Sequence, residues 1–123
     1  RKQLGQLASK MRFVSAQFEA LLSGDLWLRG ARTANGMAAR LAAAVEAIDG
    51  VEITHPVEAN AVFARLPRPA IDRLLAELPG EHPFYVWDSA RDEVRWMCSW
   101  DTTEPDVDAF AEAIAEAVAF ARR

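Results

Sequence analysis

The hydrophobic period of this chain first changes at Gly50, and that change restricts the fold more than any other feature. Before it, Leu4, Leu7, Met11, Val14, Phe18 and Leu21 recur at alternating steps of three and four, which is one apolar stripe on a helix. Gly24 stops that helix, and Asp25 stands where a cap for the next one belongs. The second stripe, Trp27, Ala31, Ala34, Ala38, Leu41, Val45 and Ile48, keeps the same stepping for about six turns until Gly50. The two helices read as an αα pair. Gly30 and Gly36 each cost about 1 kcal/mol of helix propensity relative to Ala, so tight packing is expected at both.

Just beyond Gly50 the pattern becomes strand-like. "VEIT" reads as a short strand, His55-Pro56 forces an extended break, and "NAVFARL" reads as a second strand. Pro67 and Pro69 bracket the start of a third helix with Ile71, Leu74, Leu75 and Leu78 on its apolar side, ended by Pro79-Gly80. "FYVW" and "VRWMCSW", joined by the charged turn "DSARDE", read as a hairpin. Thr103 caps a last helix with Asp106 at its third position, and Val107, Phe110, Ala111, Ile114, Ala117, Val118 and Ala121 form the buried stripe. The order α-α-β-β-α-β-β-α predicts an α+β fold: about four short, mostly antiparallel strands with helices on one face, preceded by the long αα pair. The chain divides into a helical pair at residues 1–50 and a small α+β domain at 51–123.

With 51% hydrophobic residues among 123, the chain can bury a core of one domain. Residues 1–40 carry Arg1, Lys2, Lys10, Arg12, Arg29, Arg32 and Arg40 against Glu19 and Asp25, whereas every charge in 101–121 is acidic. The basic half does not imply nucleic acid, because its charges are spread through an Ala- and Leu-rich helical pattern without an aromatic-plus-glycine recognition motif. Arg29, Arg32 and Arg40 lie opposite the apolar stripe and read as a solvated face. No apolar run reaches the roughly 18 residues that a membrane helix needs, so no membrane partner is expected. A single cysteine, Cys98, permits no disulfide within the chain, which suits a reducing cytoplasm. The chain opens in mid-helical stride without Met and is expected to be a piece of something longer.

Among chemistry-bearing residues, His55, His82 and Cys98 show no metal-ligand spacing, so no metal is expected. Both histidines precede proline and read as surface turn residues, and Cys98 falls on the inward face of a strand as a core thiol. No GxSxG, GxGxxG or Walker sequence occurs, and no catalytic residue is assigned within the chain. Arg95 stands out. In "EVRWMCSW" Val94, Trp96, Cys98 and Trp100 alternate onto one face, leaving Arg95 on the other with Met97 and Ser99. Either it meets solvent at a sheet edge, or its guanidinium fork grips an anion through two parallel charge-assisted hydrogen bonds.

The segments "RKQLGQLASKMRFVSAQFEALL", "DLWLRGARTANGMAARLAAAV", "PVEANAVFARLP" and "VRWMCSWDTTEPDVDAF", in this order, resemble the C-terminal part of low-specificity L-threonine aldolases over nearly the whole chain. The resemblance implies a pyridoxal 5'-phosphate-dependent enzyme of the aspartate-aminotransferase fold type that cleaves β-hydroxy-α-amino acids, threonine giving glycine and acetaldehyde. It implies that Arg95 binds the substrate carboxylate and that Lys2, with Gly5, lies near the active site. Related aldolases carry Gly-Gly-Gly-Met-Arg where this chain has "GQLASKM", which makes Lys10 and Arg12 alternative stand-ins for that arginine. The family's Schiff-base lysine belongs to a segment upstream of Arg1, so the chain alone is expected to be inactive. Its partners are then a small amino-acid substrate and further subunits, as a dimer or tetramer. The rival readings are a β-eliminating lyase on the same scaffold and a non-catalytic α+β binding or oligomerisation module.

Overall fold

The computed structural model describes residues 10–77 and 82–123. Its elements are α1 (Met11–Leu22), α2 (Leu26–Glu46), β1 (Glu52–Ile53), β2 (Ala61–Arg65), α3 (Arg68–Glu77), β3 (Tyr85–Asp88), β4 (Glu93–Met97) and α4 (Glu104–Ala121). The order is the one the periodicity predicts. The four strands form one antiparallel sheet in the order β1-β2-β4-β3.

The sheet has two unlike faces because its strands alternate. Val62 and Ala64 of β2 and Val94 and Trp96 of β4 are buried, and they meet Ala38, Leu41 and Val45 of α2, Ile71 and Leu74 of α3, and Phe110, Ile114 and Val118 of α4. Trp96 is the largest of the fully buried side chains and sits edge-on to Phe110 at 5.6 Å between ring centroids. The second half of α2 thus shares one core with the residues beyond Gly50. On the opposite face Tyr85, Trp87 and Met97 are more than half exposed, so no helix of the described residues covers it.

Local signals fix the helix ends. Thr103 and Asp106 close a reciprocal capping box, with Pro105 in the first turn of α4. The Thr103 hydroxyl and backbone N–H hold the Asp106 carboxyl below its ordinary value. Gly50 takes φ 101° where a side chain would also collide with Arg122 and Val118, so the return from α2 to β1 requires glycine.

Three sequence expectations change. The stripe on α1 is not buried: Met11, Val14, Phe18 and Leu21 are all over 40% exposed, because α1 packs on α2 alone through a small contact. Leu4, Leu7, Leu78, Pro79 and Gly80 lie outside the described residues. Arg40 is not merely solvated, since its Nε and Nη2 donate to both carboxylate oxygens of Asp108 at 3.0 and 2.9 Å, and Glu104 is 3.2 Å away. These acids occupy the first turns of α4, where negative charge suits the helix dipole, and Arg40 ties α2 to them. Trp100 leaves the inward face because β4 ends at Met97. Asn60 pairs with the Cys98 backbone in both directions, and the Ser99 N–H then turns to the Thr102 hydroxyl, leaving Trp100 72% exposed.

Glycine packing also divides. A methyl group on Gly30 would touch Trp100, whereas one on Gly36 would meet nothing within 4 Å. Gly36 is exposed in mid-helix, so tight packing does not explain it. Gly36→Ala is therefore expected to stabilise the chain by about 0.5–1 kcal/mol. A urea midpoint that falls in the variant would show that α2 needs the glycine.

Candidate functional site

β4 is an inner strand of the sheet, which gives Arg95 a rigid base. Its Cα partners are Phe63 on β2 and Tyr85 on β3, so three side chains stand in a row across the open face. The guanidinium carbon lies 4.8 Å from the Trp87 ring centroid and 5.9 Å from that of Tyr85, both within cation–π range. Phe63 meets Trp87 edge-on at 5.4 Å, and His55 stands 5.0 Å from Phe63. The result is a cation walled by aromatic rings.

No carboxylate among the described residues pairs with this cation. Arg40, Arg65, Arg68, Arg73, Arg91 and Arg122 all have acidic partners, and Arg95 has none. Its Nε is buried without a hydrogen-bond partner. The side chain is half-buried, and its terminal nitrogens have no hydrogen-bond partner among the described residues. Glu93, two residues away on the same face and 5% exposed, is directed instead toward His55, whose Nδ1 is 3.7 Å from its carboxylate. A partly desolvated arginine with a free fork is suited to a carboxylate.

The other sequence candidates lie elsewhere. Lys10 and Arg12 are exposed at the start of α1, where Arg12 lies over Phe13, and α1 packs on α2 rather than on the open sheet face. Lys2 falls outside the described residues. His55 is exposed as expected, whereas His82 is half-buried, its ring 5.1 Å from Phe110. His82 lines a cavity of about 360 Å³ together with Trp96, Cys98 and Asp106. Burial raises the pKa of the Cys98 thiol, which disfavours the thiolate and fits a core residue. No group of three or more His, Cys, Asp or Glu gathers in a metal-holding arrangement among the described residues. None of their helices is long and apolar enough to cross a membrane.

Sequence reasoning missed Tyr85, Trp87 and Phe63 as neighbours of Arg95. Alternation did put Arg95 on the uncovered face, but Phe63 reaches it through pairing with a strand some 30 residues away, and Tyr85 and Trp87 through the register of the β3–β4 hairpin.

No family model matches the chain. Two curated low-specificity L-threonine aldolases do. One, from a Pseudomonas species, is 46% identical over 106 residues, covering 86% of this chain and 30% of its own length. The other, from Pseudomonas aeruginosa, is 48% identical over 101 residues, covering 82% of this chain and 28% of its own length. The chain belongs to the low-specificity L-threonine aldolase family. It spans less than a third of the length of the curated aldolases it matches. Within this aldolase-family sequence, Arg95 and Arg65 share the open face of the sheet, and Arg65 is paired with Glu52 whereas Arg95 has no acidic partner among the described residues.

Proposed function

We propose that these residues form the C-terminal portion of a threonine aldolase, where Arg95 holds the carboxylate of a β-hydroxy-α-amino acid. The supporting observation is the guanidinium of Arg95, based on an inner strand and without an acidic or hydrogen-bond partner among the described residues. With Nε buried, the carboxylate approaches end-on and takes one hydrogen bond from each terminal nitrogen. This two-point grip fixes the carboxylate plane, and with it the direction of the neighbouring Cα–Cβ bond that the reaction breaks.

Pyridoxal 5'-phosphate would supply the electron sink for that cleavage. The described residues do not fit the cofactor itself. Lys10, the lysine among them, stands exposed at the start of α1, and the open sheet face offers aromatic rings, Arg95 and an Arg65 already paired with Glu52 rather than a cradle for phosphate. The cofactor then belongs to the remainder of a longer polypeptide, and the substrate's acid end to Arg95. The uncovered stripe of α1 supports burial against further protein, whether that remainder or another subunit of a dimer or tetramer.

Incubating the longer polypeptide with threonine tests the reading. Acetaldehyde and glycine should appear in equal amounts, and the 123-residue chain alone should release neither. An oxo acid with ammonia would indicate a β-eliminating lyase instead. No turnover by the longer polypeptide with any β-hydroxy-α-amino acid would favour a non-catalytic module.

A further inference from the structure

The pairing of β3 with β4 is interrupted at one point. Val86 lies opposite Val94, but Asp88, not Trp87, lies opposite Glu93, so Trp87 is an extra residue in a β-bulge. A bulge shifts the local register of its strand, and bulges recur beside sites. Here alternation already puts Trp87 on the open face with Tyr85, and the shifted register leaves its ring 4.8 Å from the Arg95 guanidinium carbon. Trp87 is itself braced edge-on by Phe63 from the far side of Arg95, while Tyr85 limits the guanidinium from its own strand position.

Arginine has four rotatable side-chain bonds, and Arg95 has no acidic partner or hydrogen bond among the described residues to hold its plane. Without another restraint the fork would sample many orientations, and a ligand would have to order it on binding, at a cost in affinity. A ring face against the guanidinium supplies that restraint without neutralising the charge or occupying the donors. Trp87 is 54% exposed, so the burial of its ring in a core is not what the bulge achieves.

We propose that Trp87, carried on the β3 bulge, is a positioning residue that holds the Arg95 guanidinium in the plane needed for end-on capture of the substrate carboxylate. This inference rests on the reading of Arg95 as the carboxylate anchor. Trp87 touches neither the substrate nor the bond that breaks. It acts through Arg95.

Steady-state kinetics of the longer polypeptide with threonine, on Trp87→Leu, Trp87→Phe, Arg95→Met and the Trp87→Leu/Arg95→Met double variant, test the proposal. Trp87→Leu is expected to raise KM about three- to tenfold, with kcat within about twofold, as loss of a ring–cation contact predicts. Trp87→Phe should restore most of the loss because it keeps a π face. In the Arg95→Met background Trp87→Leu should add nothing, since the group it positions is gone. An equal rise in both backgrounds, or none with Arg95 in place, overturns the role of Trp87 while leaving Arg95 as anchor. A KM unchanged by Arg95→Met itself overturns the anchor reading and the positioning role together.

Discussion

Arg95→Ala in the longer polypeptide should raise KM for threonine about a hundredfold or more. Two charge-assisted hydrogen bonds at about 1.5–3 kcal/mol each set the scale, and about 1.4 kcal/mol corresponds to each factor of ten. Water entering the vacated space recovers part of the loss, which is why the estimate lies at the lower end of that range. The kcat should fall less than KM rises, because most of what is removed is binding common to the ground and transition states. Arg95→Lys should give an intermediate defect, since a single ammonium keeps the charge and loses the fork. Folding should survive all of these changes, because the side chain stands on the uncovered face of the sheet and makes no ion pair or hydrogen bond among the described residues. A KM within about twofold of the parent would remove the reason for assigning the carboxylate to Arg95.

The second large effect concerns stability. Trp96→Ala should cost about 3–5 kcal/mol, a substantial part of the 5–15 kcal/mol that holds an ordinary domain together. Trp96 is 2% exposed and packs against Phe110 where β4 meets α4, so truncation opens a hole that two elements would have to close. Trp96→Phe separates volume from polarity at the same position. The indole Nε1 is buried without a hydrogen-bond partner, so the native residue already carries the desolvation cost of that N–H, about 1–3 kcal/mol. Phenylalanine loses part of the packing but sheds that cost, and its urea midpoint should lie close to the parent's. If Trp96→Ala unfolds within about 1 kcal/mol of the parent, the core is not centred on Trp96.

What could be read from the sequence follows the range of the interactions involved. The Thr103–Asp106 capping box was legible because it is settled within three residues, and the α4 stripe because a helix repeats its own face. Alternation placed Arg95 opposite Val94 and Trp96 for the same reason. It failed at Trp100, where Asn60 closes the strand by pairing with the Cys98 backbone, a contact across 38 residues. Arg40 read as solvated because Asp108, its partner, lies 68 residues further along. The hairpin that carries Tyr85 and Trp87 to Arg95 was legible, but its shifted register at Trp87, and the pairing that adds Phe63 from β2, exist only once the strands have paired. On α1 the stripe was legible as amphipathic, but an apolar face does not specify what covers it.

The central claim, that Arg95 recognises a carboxylate, is tested most directly by comparing threonine with threoninol, its analogue bearing a hydroxymethyl group in place of the acid. The parent polypeptide should bind threonine about a hundredfold more tightly than threoninol in equilibrium titrations, and Arg95→Met should bring the two affinities to within a few-fold of each other. Preserved discrimination in Arg95→Met would contradict the account, because the carboxylate would then be recognised by a different group.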